Sequence, residues 1–263
     1  MIGYVALLDV LGFKSIIAGD RVDEKLQEYL QALEDVTKTS AQDAAVKYVV
    51  FSDSIVLTSG DSIDSFKSLL SVCSQLFCMM LEKEIPLRGA VTYGAYLREP
   101  NSNGTFVAGR AVVDAYGFET AQDWVGVMVA PQAIRQIPDL KEQCRIVDGH
   151  SGRGLEFQTI NEQQFPLCTV LQPYSQIPFH RIDSFEPNNY NGFAIVPTDG
   201  SSEPARVRDS LSRSYEKLKW LEHLAPDPQT QRKFQNTSAW IYNLLGTWQY
   251  IAHSKERMEE QKR

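Results

Sequence analysis

GYVALLDVLGF, at residues 3–13, is the stretch that decides how this chain begins to fold. Residues 3–10 are a short apolar run with β-branched and aromatic side chains, which predicts a buried strand. The segment LGFKS at residues 11–15 then turns the chain toward a helix. Because a carboxylate in such an apolar run is costly unless it is paired or bound to a metal, Asp9 is the first candidate functional residue.

A second aspartate, Asp53, lies in similar surroundings within VVFSDSIVL at residues 49–57. Residues 46–51 and 54–58 predict two short strands, and the few residues between them predict a hairpin with Asp53 at its tip. If the two aspartates are neighbours they repel each other, and divalent metal ions satisfy that charge better than a lysine would. The alternative is that each aspartate merely caps a turn or a helix.

The order of predicted elements is β-α-β-β-α-β-(β)-α-β-α, followed by short strands in residues 143–197 and two long helices. This order predicts an α+β fold with a mostly antiparallel sheet backed by helices. We expect one domain over residues 1–200 and a C-terminal helical extension over residues 201–263. The extension is predicted to contain helices at 202–224 and 229–257.

Composition limits the classes of function. The 263 residues are 43% hydrophobic and 22% charged, with a net charge of −7, which is typical of a globular protein and unlike a nucleic-acid binder. A mononucleotide ligand remains compatible, because metal ions can supply the positive charge that it needs. The four cysteines form no CxxC pair, and no run of apolar residues predicts a membrane span or a leader. We therefore expect a cytoplasmic protein.

Four segments of the chain form one set of motifs: LLDVLGFKS (7–15), VVFSDSIVLTS (49–59), LRGAVTYG (87–94) and GRAVVDAYGFETA (109–121). Together they resemble the class III nucleotidyl cyclases, the adenylate and guanylate cyclase family. The resemblance covers residues 3–135, about half of the chain. It implies the cyclase variant of the ferredoxin-like fold and the conversion of a nucleoside triphosphate to a 3′,5′-cyclic nucleotide and pyrophosphate.

The same resemblance implies roles for individual residues. Asp9 and Asp53 match the aspartates that bind two Mn²⁺ or Mg²⁺ ions, and Val10 matches a position whose carbonyl binds the second ion. The loop whose backbone holds the triphosphate matches Leu11, Gly12 and Phe13.

The chain departs from the purine cyclases at four positions. Val49 and Phe106 stand where those enzymes read the base, and Val113 and Gly117 stand where they carry an Asn and an Arg. The blocks FSDS, LRGA and VVDAYGFE resemble instead the pyrimidine cyclases of bacterial Pycsar antiphage systems. That resemblance implies UTP or CTP as substrate, with UTP favoured, a cyclic pyrimidine nucleotide that signals to an effector, and a homodimer with its sites across the interface.

Other residues are candidates for the parts of the site that the departures leave open. Tyr48 would pack against a pyrimidine base, Asp114 would hydrogen-bond the ribose or the base, and Arg110 would supply the missing cation. Arg110 begins a predicted helix, where a cation opposes the helix dipole and so has a weak structural reason to be present. Arg88 and Lys14 are alternative cations, and a salt bridge at the sheet edge is the alternative role for Arg88.

Two other functions remain open at this point. One is a purine class III cyclase with unusual base contacts. The other is an inactive cyclase-like module that binds a nucleotide or a partner.

Overall fold

The structure of the chain is a computed structural model that describes residues 1–40, 46–102, 104–138, 167–178 and 189–260. Much of the 143–197 segment, for which short strands are predicted, lies outside the described residues. The described strands are β1 (Ile2–Val10), β2 (Lys47–Phe51), β3 (Ser54–Ser59), β4 (Leu87–Ala95), β5 (Leu97–Asn101), β6 (Gly104–Ala108), β7 (Gly126–Val129), β8 (Leu171–Pro178) and β9 (Asn189–Ile195). The described helices are α1 (Phe13–Ala18), α2 (Val22–Ser40), α3 (Ile63–Glu82), α4 (Arg110–Ala121), α5 (Pro131–Ile134), α6 (Leu167–Val170), α7 (Pro204–Leu224) and α8 (Pro228–Glu260).

Seven strands form one sheet in the order β2-β3-β1-β4-β7-β9-β8, while β5 and β6 form a separate hairpin. β1 lies between β3 and β4 and is antiparallel to both, whereas β4 and β7 are parallel. The first four strands, with α2 and α3, follow the β-α-β-β-α-β order of ferredoxin-like folds. The predicted α+β fold with a mostly antiparallel sheet backed by helices is confirmed.

The two faces of the sheet are covered differently, because successive side chains of a strand point to opposite sides. On β1, Leu8 and Val10 belong to the apolar cluster built with α2 and α3. Val5 belongs instead to a small cluster with Ala111 of α4. Asp9 is four residues from Val5, so the two side chains point to the same face of the sheet. The Asp9 carboxylate therefore lies on the face that α4 covers.

Helix α3 supplies much of the core beneath the sheet. It begins after Ser62, whose hydroxyl accepts the backbone N–H of Ser65 at 3.1 Å and so satisfies one of the free amides of the first turn. Pro86 follows its end, where a helix cannot continue. Its buried apolar side chains are Phe66, Leu69, Leu70, Val72, Cys73, Leu76, Phe77, Cys78, Met80 and Leu81.

The C-terminal extension consists of α7 and α8, which pack on each other and, through α7, on α3. Asp227 accepts the backbone N–H of Thr230 at 2.9 Å, which fixes the start of α8. The predicted pair of long helices and the helical extension are confirmed, while the division of the chain near residue 200 stays a prediction. Side chains of the extension share one apolar cluster with the sheet, including Ala90, Trp124, Val207, Leu211, Trp240 and Ile241.

Among the described residues, none of the helices has the length and apolar character that crossing a membrane requires.

Candidate active site

The structure brings Asp9 and Asp53 together at one end of β1. Asp9 pairs in register with Ser54 of β3, and the Ser54 hydroxyl donates to Asp9 Oδ1 at 3.2 Å. The backbone N–H of Val10 donates to the carbonyl of Asp53 at 3.0 Å. Because β2 and β3 are joined by two residues, the first of which, Ser52, has a φ of +56°, Asp53 lies at the hairpin tip as predicted.

The pair has an excess of negative charge. Burial raises the pKa of the Asp9 carboxyl above its ordinary value, and the charge of Asp53 raises that pKa further. The Ser54 hydroxyl and the Arg88 guanidinium lower the pKa of Asp9 but do not cancel the rise. The pair therefore favours taking up positive charge, either a proton or a cation.

The donor atoms of this pair fit a hard divalent ion such as Mg²⁺ or Mn²⁺, which prefers oxygen ligands. Within the described part of the chain, His, Cys, Asp and Glu side chains do not gather in threes or more around any point that could hold a metal ion. Two carboxylates leave most of the coordination of an ion to main-chain carbonyls, water and the oxygens of a ligand. Mg²⁺ is commonly bound in this way, by one or two carboxylates together with a substrate phosphate.

The turn after β1 places three predicted residues beside the pair. The backbone N–H of Leu11 donates to the carbonyl of Pro86 at 2.9 Å, which ties the turn to the start of β4. Gly12 has a φ of +78°, in the left-handed region that favours glycine, and it immediately precedes α1. The Phe13 ring packs on Tyr29 of α2, with centroids 6.4 Å apart.

Arg88 lies directly across from Asp9 in the pairing of β1 with β4. Its Nε donates to Glu119 Oε1 at 2.6 Å, its Nη2 pairs with the same oxygen, and its Nη1 donates to the carbonyl of Gln122 at 3.4 Å. The side chains of Arg88 and Glu119 are 13% and 3% exposed. Since β4 is an interior strand, the salt bridge offered as the alternative role for Arg88 exists, but it is buried beside Asp9 and not at a sheet edge.

Arg110 and Asp114 lie at the opposite end of α4 and form an exposed ion pair of 2.7 Å. Gly94 packs closely on α4 there, since a Cβ at Gly94 would lie 3.6 Å from that of Ala111, and Gly94 pairs with Gly3. Asp9 lies six residues further along β1, roughly 20 Å at the rise of a strand. Within one chain, the structure does not bring Arg110 and Asp114 to the Asp9 site.

Tyr48 is also distant from Asp9 within the chain. It pairs with Leu57 in the edge strand β2, several residues before the hairpin tip, and is 41% exposed. Its carbonyl accepts from Arg98 Nη2 at 3.5 Å. Tyr48 therefore presents its side chain to solvent or to a second molecule.

The C-terminal helix α8 contacts the segment that follows α4, a contact that the sequence did not predict. Thr237 Oγ1 accepts the N–H of Val125 at 2.8 Å and donates to its carbonyl at 2.7 Å, and Asn236 Nδ2 donates to the carbonyl of Asp123 at 2.7 Å. Lys233, one turn before Thr237, is only 9% exposed. The signal available in the sequence was a polar pair four residues apart, Lys233 and Thr237, on a face that is otherwise apolar.

No protein-family model matches the chain, and no curated protein does. Among solved structures, the chain is similar to the guanylate cyclase domain of RhGC from Catenaria anguillulae in complex with GTP. The identity is 11% over 74% of this chain and 95% of that one, with a TM-score of 0.47.

Adenylate cyclases from Trypanosoma brucei are 8% identical over 74% of this chain and 90% of theirs, with a TM-score of 0.46. The adenylyl cyclase CyaB from P. aeruginosa is 10% identical over 74% of this chain and 95% of its own, with a TM-score of 0.43. At these identities and scores, neither the family nor the substrate of this chain follows from the likeness.

Proposed function

We propose that the chain is a nucleotidyl cyclase that converts UTP, in preference to CTP, to the 3′,5′-cyclic nucleotide and pyrophosphate. The observation that carries this proposal is the Asp9–Asp53 pair. Two carboxylates that the sequence separates by two helices and a strand lie at one end of β1, next to the left-handed turn at Gly12. A phosphate-bearing ligand would complete the coordination that two carboxylates leave open.

The proposed reaction closes a ring within the nucleotide. The ribose 3′-oxygen loses its proton to solvent and bonds to the α-phosphorus, while the bond from that phosphorus to the bridging oxygen of pyrophosphate breaks. Asp9, Asp53 and the Val10 carbonyl would hold two divalent ions, whose charge would lower the pKa of the 3′-hydroxyl and neutralise the phosphates. In the turn Leu11–Phe13, the N–H of Leu11 is bonded to the Pro86 carbonyl, so Gly12 and Phe13 would offer their backbone N–H groups to the triphosphate.

Arg88 is the cation of this chain that is already beside Asp9. A guanidinium has five N–H donors, and the bonds to Glu119 and Gln122 use three of them. We propose that the remaining donors face the phosphates of the nucleotide. The predicted cation role of Arg110 would then belong to the site of a second copy of the chain.

A homodimer would bring the distant candidates to the site. Apolar side chains stand exposed on the hairpin tip, on β6 and on α4, which is typical of an interaction surface. In a two-fold dimer, Arg110, Asp114 and Tyr48 of one copy would be offered to the other. The exposed apolar side chains are Phe51, Phe106, Val113 and Tyr116.

The choice of a pyrimidine rests on the resemblance of the FSDS, LRGA and VVDAYGFE blocks, and on an aromatic ring at Tyr48 that would stack on a small base. We further propose that the product acts on a separate effector in antiviral defence, as the same resemblance implies.

The test is incubation of purified protein with ATP, GTP, CTP or UTP and Mn²⁺, with product identified by mass spectrometry. We expect cyclic UMP to form fastest, cyclic CMP more slowly, and purine products least. Asp9→Asn should lower turnover on the order of 100-fold or more, whereas Asp64→Asn, at an exposed aspartate in the first turn of α3, should leave turnover unchanged. Equal turnover of ATP would contradict the pyrimidine assignment, and nucleotide binding without turnover would favour the inactive module.

A further inference from the structure

Gln122, the first residue after α4, is fully buried, and its side-chain amide makes three hydrogen bonds. Its Nε2 donates to the carbonyls of Gly89 and Phe118, both at 2.9 Å, and its Oε1 accepts from the indole N–H of Trp124 at 2.6 Å. A side-chain amide has two N–H donors and one acceptor oxygen. Because the two carbonyls can only accept and the indole can only donate, these three partners fix the orientation of the amide.

Two of these partners are chain neighbours of the buried ion pair between β4 and α4. Gly89 directly follows Arg88 in β4, and Phe118 directly precedes Glu119 in the last turn of α4. The amide of Gln122 therefore joins the strand that carries the arginine to the helix that carries its carboxylate. The main-chain carbonyl of Gln122 also accepts from Arg88 Nη1 at 3.4 Å, so Gln122 contacts the guanidinium itself.

The same part of β4 is held against the strand that carries the candidate metal site. Arg88 lies across from Asp9 in the pairing of β4 with β1. Gly89 lies so close to β1 that a Cβ at this position would be 2.4 Å from a main-chain oxygen of that strand. The backbone of Arg88 is thus fixed by β1, and its guanidinium is fixed by Glu119 and Gln122.

We propose that Gln122 is a positioning residue of the Asp9 site, which holds the Arg88 guanidinium where its two free donors meet the phosphates of a nucleotide. The amide sets the spacing between β4 and the last turn of α4, and that spacing sets where Glu119 holds Arg88. Without the amide, Arg88 and Glu119 stay paired but are free to shift together relative to Asp9. The inference rests on the proposed function, since that function gives Arg88 a nucleotide to bind.

Binding of a nucleotide that cannot react measures this role without turnover. The probes are the four 3′-deoxynucleoside triphosphates with Mn²⁺, which lack the attacking hydroxyl, and the method is calorimetry. Gln122→Met keeps the length of the side chain but removes the amide, and we expect it to weaken binding of the preferred triphosphate about 10-fold. A hydrogen bond to a charged group is worth roughly one to two powers of ten in affinity, and Arg88 keeps its bond to Glu119. Gln122→Asn, whose amide is one methylene too short to bridge both carbonyls, should weaken binding about 3- to 10-fold.

A loss of stability alone is controlled at Ser74 of α3, which is also fully buried. Its hydroxyl donates to the carbonyl of Val196 at 2.6 Å and lies 2.9 Å from the hydroxyl of Thr198, in the segment that follows β9. Ser74→Ala removes buried hydrogen bonds of the same kind without touching β4 or α4. Thermal unfolding measures the stability of each variant, and all binding is measured well below the lowest melting temperature. Ser74→Ala should bind the probe as wild type does, and a loss as large as that of Gln122→Met would overturn the proposal.

A background without the arginine tests the route through Arg88. In the Arg88→Met/Glu119→Gln protein there is no guanidinium to position, so adding Gln122→Met should weaken binding less than about 2-fold. An equal loss with and without Arg88 would overturn the proposal. Gln122→Asn replaces Gln122→Met in either background if the methionine variant does not fold.

Failure of this inference and failure of the proposed function give different results. If the wild-type protein binds none of the four probes, the proposed function is wrong. If the wild type binds one of them and both Gln122 variants bind it equally well, only the positioning role of Gln122 is wrong.

Discussion

Helix α4 takes part in two arginine–carboxylate pairs, one toward each end, and the two pairs differ in how far they are buried. Arg110 and Asp114 form a pair four residues apart whose side chains are 80% and 24% exposed. Arg88 and Glu119 form a pair between strand and helix whose side chains are 13% and 3% exposed. An exposed pair of the first kind contributes about 0.3–0.5 kcal/mol, whereas breaking a buried pair of the second kind costs about 3–5 kcal/mol. The buried pair is thus part of the fold beside Asp9, and the exposed pair is available to another molecule.

The largest effect on activity is expected at Asp9, which lies across from Arg88 at the buried end of α4. Asp9→Asn should lower cyclase turnover on the order of 100-fold or more, because losing even an outer partner of a metal ligand costs about 10- to 100-fold. The measurement is the initial rate with UTP and Mn²⁺. Unchanged turnover in a folded Asp9→Asn protein would show that Asp9 is not part of a catalytic site.

The pH dependence of the Asp9 site should follow from its raised pKa. Because the folded-state pKa of Asp9 lies above its unfolded value, the folded state holds a proton more tightly, and this stabilisation is lost as pH rises through the folded pKa. In EDTA, wild type should therefore lose stability relative to Asp9→Asn as the pH rises above about 4, the ordinary Asp value. Mn²⁺ binding should weaken as the pH falls through the same window. Equal melting temperatures of the two proteins across the range would contradict this prediction.

The comparison of the two arginines can be made directly in stability. Arg88→Met leaves the buried Glu119 charge without its arginine and should lower the free energy of unfolding by about 3–5 kcal/mol. The matched variant Arg110→Met should change it by no more than about 0.5 kcal/mol. Urea unfolding followed by circular dichroism measures both. In the Arg88→Met/Glu119→Gln double variant much of the loss should be recovered, because the unpaired charge is gone.

Removing the hydrogen bonds between α8 and Val125 should have an intermediate effect on the free energy of unfolding. Thr237→Val keeps the shape of the side chain but leaves the buried N–H and carbonyl of Val125 without the hydroxyl. Each unsatisfied buried group costs about 1–3 kcal/mol, so we expect a loss within that range or slightly above it. Thr247→Val on the same helix, whose exposed hydroxyl bonds only the Asn243 carbonyl, is the control and should have little effect. Equal unfolding curves for wild type and Thr237→Val would show that the Thr237 hydroxyl does not hold α8 on the segment Gln122–Val125.

The smallest effect on stability is expected at Arg110, in the exposed pair of α4. If Arg110 serves the site of a second copy, Arg110→Met should lose turnover while remaining as stable as wild type. Mixing it with Asp9→Asn should restore about a quarter of wild-type activity, because half of the dimers would be mixed and each would contain one intact site. Absence of any recovery after subunit exchange, checked by native mass spectrometry, would place Arg110 outside the site.

The sequence allowed the Asp9–Asp53 end of the site to be predicted, because its geometry is local. An apolar run fixes β1, and the short spacing of β2 and β3 forces a hairpin with Asp53 at its tip. The partner of Arg88 could not be predicted in this way. Glu119 belongs to a later helix, and its position depends on how α4 packs on β4. The role of α8 depends on packing over a still longer separation, so Lys233 and Thr237 looked like polar residues in an amphipathic helix.

The docking of α8 also gives the chain a built-in optical signal. Trp124, in the segment Gln122–Val125 between α4 and β7, lies 5.5 Å from Trp240 of α8 with perpendicular rings, and Tyr174 of β8 stacks on Trp240 at 5.2 Å. Aromatic rings this close and in a fixed orientation couple electronically, so they should produce a near-ultraviolet circular dichroism band. That band would weaken when α8 separates from this segment, even if every helix stays intact. Circular dichroism of the unlabelled protein can therefore show, in real time, whether α8 stays packed in place while a nucleotide binds.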